Sequence, residues 1–276
     1  MALPEIERGS MHWRMGIGEA YAGKWGAWYR QLDAEEKQAY QRLFPEPLTW
    51  RGYISGAPEC ETLHEGDLYV TLWRENGAPR YTREKVIEAC EAGEPLELNM
   101  FWGHRPSRDG AMGKGCFSQW WKSDFWHDGE HFCCMEQCMM LGKAKLFEDD
   151  AIQAKIRAST DPKEIKALGR AVHPFDGKRW DAVKYPLVLN GNYHKFVQNT
   201  ELRNFLLSTG DSILVEASPY DCVWGIGLSA GNPRAQDPRQ WRGRNLLGFA
   251  LMEVRDEIRR VYANEALCCQ DWKDSF

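Results

Sequence analysis

CCMEQCMMLGKAKLF, residues 133–147, decides how the chain is read. Apart from Glu136, Gln137, Lys143 and Lys145 the segment is oily enough to be buried. A buried helix rarely hosts a carboxylate and an ammonium without a reason. The spacing predicts one helix over 136–147. Seven residues at about 100° each bring Lys143 to within roughly 20° of the face that carries Glu136, about 10 Å further along the axis. Met140 lies between them. A Glu and a Lys so placed can reach one small ligand from either end. Partial burial raises a carboxyl pKa and lowers an amine pKa, which suits proton transfer and amine nucleophilicity. The plainer alternative is a Glu–Lys pair on a solvated face.

Working outward, the pattern after residue 97 is mostly helical. Segments 149–158, 162–169, 191–198, 201–208 and 246–262 read as helices, with Asp161 and Pro162 starting the second. Residues 180–188 read as irregular, or helical up to Pro186. SILVEASP, residues 212–219, reads as a buried strand. Before residue 97, Asp33 to Leu43 reads as a helix ended before Pro45, and LYVTLW, residues 68–73, as a strand followed by the turn ENGAP. Thr82 caps a helix running to Cys90 without a full capping box. EPLELNMFW reads as a strand leading into a new unit. Helices segregated around a few strands make the fold class α+β, with an extension over 1–98 and a second unit over 99–276.

At about 150 residues per domain, 276 residues fit one large domain or two smaller ones. A hydrophobic fraction of 43% with 27% charged residues fits a soluble globular protein. The apolar runs fall short of the roughly 20 residues a membrane helix needs. The start, MALPEIERGSMHW, lacks a basic stretch followed by an apolar one, so no secretory signal is expected. The nine cysteines include the C-C-x3-C run, which matches no zinc-ribbon spacing, and the isolated pair Cys268–Cys269. They read as reduced thiols in a cytoplasmic protein, with no metal site. The net charge is −5: residues 1–99 hold 11 basic and 17 acidic side chains, residues 100–276 hold 24 and 23. That balance argues against broad nucleic-acid affinity and allows a local pocket for a phosphorylated ligand.

Four further stretches carry candidate chemistry. In VEASPYDCVWGIGL, residues 215–228, a strand ends in Ser218-Pro219 and is followed by Asp221, Trp224, Gly225 and Gly227. Polar groups at a strand end before a Gly-rich turn often form a site; an Asx-type turn with a core Trp is the alternative. GNYHKFVQN, residues 191–199, offers Asn192. GRNLLG, residues 243–248, sets Arg244 and Asn245 before a helix N-terminus, an arrangement that binds phosphate or merely caps the helix. CFSQWW, residues 116–121, puts Phe117, Trp120 and Trp121 beside Ser118 and Gln119, which suits stacking on a heterocycle or core packing.

These stretches, with FWGHRP at 101–106, CMEQCMMLGKAKLF at 134–147, LGR at 168–170, FDGKRW at 175–180 and WRGRNLLGFALMEVR at 241–255, occur in an order that resembles the NADAR (YbiA-like) family over about residues 99–262. The resemblance implies an α+β fold dominated by helices, and an N-glycosidase that needs no cofactor. It implies a substrate with ribose C1′ joined to an exocyclic amine: ADP-ribosylated guanine in DNA, or a nucleotide-type intermediate of riboflavin synthesis. A module that only binds ADP-ribose is the third alternative. The resemblance puts the family's functional Glu on Glu136, its helix Lys on Lys143, its Trp on Trp180 and its Asp on Asp221. Shorter members carry an Asn and one aromatic after the Phe-Ser pair, where this chain has Gln119, Trp120 and Trp121. The base pocket is therefore expected to depart from theirs.

Overall fold

The computed structural model describes residues 4–50, 52–54, 80–106 and 111–267. The expected strand over 68–73 and the turn after it lie outside the described residues. The chain forms two compact units. One comprises residues 1–63 with 257–276, the other residues 64–256.

The first unit is built on α1 (Gly16–Gln31) and α2 (Ala34–Leu43). Asp33 starts α2 with a reciprocal cap: its Oδ1 accepts from Glu36 N, and Glu36 Oε2 accepts from Asp33 N, both at 2.9 Å. Aromatic side chains fill the unit. Trp25 stacks on Tyr29 at 4.9 Å and donates to the Tyr40 hydroxyl, while Trp13 meets Trp50 edge-on at 5.1 Å. Helix α1 has no counterpart in the sequence reading, because four glycines in GIGEAYAGKWGAWYRQ depress its helix propensity. The aromatic packing supplies what propensity lacks.

In the second unit α3 (Arg83–Glu91) begins at the cap Thr82, whose hydroxyl accepts from Lys85 N. β1 (Leu98–Phe101) runs parallel to β4 (Ile213–Glu216), with Leu98 opposite Ile213 and Phe101 opposite Glu216. β2 (Lys122–His127) and β3 (Glu130–Cys134) form an antiparallel hairpin. Its turn is Asp128-Gly129, both at positive φ, the geometry that a two-residue hairpin favours. That hairpin was not among the expected elements, although the Asp-Gly pair announces it. Chain leaving β3 passes directly into α4 (Met135–Leu146).

Helix α4 is the centre of this unit, with α5 (Asp150–Ala158), α6 (Pro162–Arg170) and α7 (Gly177–Val197) against it. Glycines allow the close approach. A Cβ on Gly142 would strike Leu187, one on Gly169 would strike Met140, and one on Gly191 would strike Met135 and Cys138. Helix α8 (Thr200–Leu207) follows, and α9 (Leu246–Tyr262) closes the fold. The architecture is α+β and mostly helical, as the pattern led one to expect.

One correction concerns α7. The expected break at Pro186 is absent, and a single 21-residue helix runs through it. Proline removes one backbone donor and costs roughly 3 kcal/mol in an ordinary helix interior. Here the turns from Val183 to Val197 are almost wholly buried, and that burial outweighs the local loss. The expected strand at 94–102 also shortens to four residues.

Candidate active site

Glu136 occupies the second position of α4. Its side chain is 2% exposed, and Oε1 has no hydrogen-bond partner. The Trp120 indole donates to the carboxyl, and the Glu136 N–H donates to Gln119 O at 2.8 Å. Burial pushes the Glu136 pKa up to about 7; the charge of Asp221 adds to this, against Lys166 and Arg170. A carboxyl so poised can both give and take a proton near neutral pH.

The loop that supplies Trp120 is fixed from below. Lys195, fully buried on α7, donates to Cys116 O at 2.7 Å and to Ser118 O at 3.0 Å. Burial lowers its pKa to about 8. The Ser118 hydroxyl accepts from Trp120 N. The Trp120 ring also has His104 at 5.4 Å and the Lys166 ammonium at 5.5 Å.

Lys143 is half-buried further along α4. Its Nζ donates to Gly169 O at 2.7 Å and lies 4.3 Å from the Phe175 ring and 5.8 Å from the Trp180 ring. Desolvation lowers its pKa, which increases the share of free amine. Glu136 and Lys143 make no direct ion pair. They meet instead through α6, where Gly169 holds Lys143 and Lys166 and Arg170 face Glu136.

Asp221 follows β4. Its Oδ1 accepts from Val223 N and Trp224 N, both at 2.8 Å, so the Asx-type turn is real. The same charge is felt by Glu136 and by Glu216. Glu216 is the last residue of β4, and its Oε2 is buried without a partner. Burial, then the charges of Asp221 and Glu136, push its pKa up to about 8, opposed by Lys166. Among the described residues this places Glu136, Glu216, Asp221, Lys166, Arg170 and Trp120 within one electrostatic neighbourhood.

A model of the NADAR domain matches residues 100–259. The chain belongs to the NADAR family. An N-glycosidase of Acanthamoeba polyphaga mimivirus is 43% identical to this NADAR chain over 146 residues, which is 51% of this chain and 86% of that protein. An N-glycosidase of Nostoc punctiforme is 33% identical over 53% of this chain and 87% of its own length. The solution structure of Escherichia coli YbiA is 26% identical, covers 64% of this chain and 92% of that one, and superposes with a TM-score of 0.48.

The other expected site residues divide in two. Trp180, on the first turn of α7, and Trp120 lie with Lys143 and Glu136 respectively. Gly225 lets the chain pass close to Glu216 O and Asp221 O, where any side chain would collide, and Trp224 N is held by Asp221. Phe117, by contrast, is fully buried among Phe101, Phe196 and Phe205. Asn192 is fully buried within α7 and donates to Val188 O. Asn245 clamps β4, accepting from Glu216 N and donating to Leu214 O, both at 2.9 Å. The Arg244 side chain is exposed and its N–H donates to Cys222 O. Three residues of the neighbourhood, Glu216, Lys166 and Arg170, were not among the expected ones. The four-residue spacing of Lys166 and Arg170 on one helix face was the available signal.

Proposed function

We propose that this protein is an N-glycosidase that hydrolyses the bond between ribose C1′ and an exocyclic amine of a base, with ADP-ribosylated guanine in DNA as substrate. The observation that carries the reading is Glu136, a carboxyl buried with an unpartnered oxygen and a pKa near 7. The N-glycosidase names of the relatives support it. Lys166 and Arg170 suit a phosphate-bearing ligand. No helix among the described residues is long and apolar enough to cross a membrane. The free thiols of Cys116, Cys133, Cys134 and Cys138 fit a cytoplasmic setting. The chemistry is assigned to residues 99–276, with 1–98 as an extension.

The proposed reaction runs without a free oxocarbenium ion. The exocyclic nitrogen pushes its lone pair toward C1′, the bond from C1′ to the ring oxygen breaks, and that oxygen takes a proton from Glu136. The Lys143 amine adds to the resulting imine. A proton reaches the base nitrogen, the C1′–N bond breaks, and the base departs from a Lys143 Schiff base. Water then adds to C1′ and releases the sugar, restoring the amine. Asp221 orients ribose hydroxyls or water, and Trp180 covers the base.

The test is mass spectrometry of parallel reactions. One contains a short DNA with ADP-ribosylated guanine, the other a ribosylamino-pyrimidine phosphate, each with wild type and Glu136→Gln. Free ADP-ribose and intact guanine from wild type alone support the proposal. Ribose phosphate released from the pyrimidine instead moves the substrate to riboflavin intermediates. Cleavage of neither substrate overturns the enzyme reading and leaves a binding module.

A further inference from the structure

Glu216 is a titratable group beside Glu136, with a buried carboxyl oxygen, that the proposed reaction leaves unused. It stands at the carboxyl end of the parallel β1–β4 pair, the end at which ligands gather in open parallel sheets. Its backbone is fixed on both sides: Glu216 N donates to the Asn245 side chain, and Glu216 O accepts from Ile226 N, each at 2.9 Å. The backbone at the strand end is therefore held on both sides. Its Oε2 and Glu136 Oε1 are both buried without hydrogen-bond partners.

Charge counting leads to the same place. The groups facing this pair are Lys166 and Arg170 from α6, Asp221 from the loop after β4, and the Trp120 indole from the loop before β2. The Asp221 Oδ1 accepts from two backbone N–H groups, those of Val223 and Trp224. Lys166 is half-buried and Arg170 exposed, so solvent screens much of the second positive charge. One half-buried cation stands among three carboxyls. Like charges in a dry site do not all ionise together.

We propose that Glu216 is the second proton carrier of this site, working with Glu136 as a pair that holds one proton between two carboxyls at neutral pH. The reaction asks for two proton deliveries, to the ring oxygen and to the departing base nitrogen, and one withdrawal, from the Lys143 ammonium. A single carboxyl would have to be recharged between these steps. In the pair, the protonated carboxyl gives its proton to the ring oxygen, and the ionised one receives the proton that Lys143 sheds. That second carboxyl then delivers it to the base nitrogen as the C1′–N bond breaks. Water attack on the Schiff base returns one proton, and the pair is restored. The raised pKa values of about 7 and about 8 agree with stepwise loss of the two protons.

The catalytic role rests on the N-glycosidase reading; the shared proton does not, and the two are tested separately. Protein carrying 13C at the Glu side-chain carboxyls is titrated by NMR from pH 4 to 10 without ligand, as wild type, Glu136→Gln and Glu216→Gln. The expected result is two resonances that titrate above pH 6 in wild type and one in each variant. The remaining one should shift to lower pH once its neighbour's charge is gone. Glu216 titrating in the ordinary carboxylate range, unmoved by Glu136→Gln, overturns the pair. In a second arm, kcat against pH is measured on the substrate that wild type cleaves. Wild type should give a bell, falling below about 7 and above about 8. Glu216→Gln should lose the acid limb, because the remaining Glu136 must still start protonated, and at least about 100-fold in kcat, with KM nearly unchanged. Glu216→Asp, which keeps the carboxyl, should retain the bell at reduced height, and it serves if the Gln variant folds poorly. A Gln variant with the wild-type bell and kcat overturns the role. If wild type cleaves neither substrate while the NMR pair titrates as expected, the function is wrong and the proton pair stands.

Discussion

A carboxyl at the second position of a helix is ordinarily stabilised as an anion by the exposed N–H groups there. At Glu136 burial wins, and the pKa stands near 7 instead of near 4.5. Glu136→Gln keeps the shape and the Trp120 hydrogen bond but carries no proton to exchange. It should lose about 100- to 10,000-fold in kcat, the usual worth of a general acid–base group. Lys143 allows a sharper distinction. If it forms the Schiff base, Lys143→Arg is nearly inactive, and borohydride added during turnover fixes an adduct on Lys143 of the wild type. Substantial activity in Lys143→Arg, with no adduct, would mean that Glu136 activates water unaided. Asn245 is a residue whose importance is structural. It sits at φ 55°, fully buried, and satisfies two backbone groups of β4. Asn245→Ala strands a buried N–H and a buried C=O at about 1–3 kcal/mol each. Urea denaturation should show a loss of about 3 kcal/mol.

At the scale of elements, α4 could be read from its sequence because apolar periodicity and length agreed, and the conflict at Glu136 and Lys143 marked it as more than core. Helix α7 could not. Pro186 is a strong local stop signal, and only the burial of the surrounding turns explains why the helix ignores it. The β2–β3 hairpin was legible in Asp128-Gly129, but no strand was read on either side of that pair. Glu216 was hidden for another reason. A Glu at the end of the apolar run ILV looks like a strand meeting solvent, and only the fold brings Glu136 and Asp221 to it. Close packing is equally invisible in sequence: Gly142, Gly169 and Gly191 look like weak points in helices, but they set the spacing of α4 from α6 and α7. Gly191→Val should therefore destabilise by about 1–3 kcal/mol through overpacking against Met135 and Cys138, measured as a lower urea midpoint with unchanged slope. A midpoint equal to or above wild type would mean that the helices have room to spare.

For the whole molecule, the same burial that equips the site works against the fold at neutral pH. A carboxyl near pKa 4.5 in the unfolded chain and near 7 in the folded one binds its proton more tightly when folded. Its contribution to stability is fully present below about pH 4.5 and is lost as pH rises through 7. At about 1.4 kcal/mol per unit, Glu136 alone makes the protein about 3 kcal/mol less stable at pH 8 than its protonated form would be. Glu216, raised to about 8, acts in the same direction. The opposite slope comes from Asp237, held low by Arg239 and Gln240, and from Glu130, where Arg157 and Lys145 overcome burial. Those groups contribute above the ordinary carboxylate range and lose their effect as pH falls below it. Stability should then peak near pH 5 and decline toward pH 8. Glu136→Gln should match wild type at pH 5 within about 1 kcal/mol and exceed it by about 3 kcal/mol at pH 8, as read from denaturant unfolding at both values. Parallel curves for the two proteins would place the Glu136 carboxyl in water and remove the physical basis for its role.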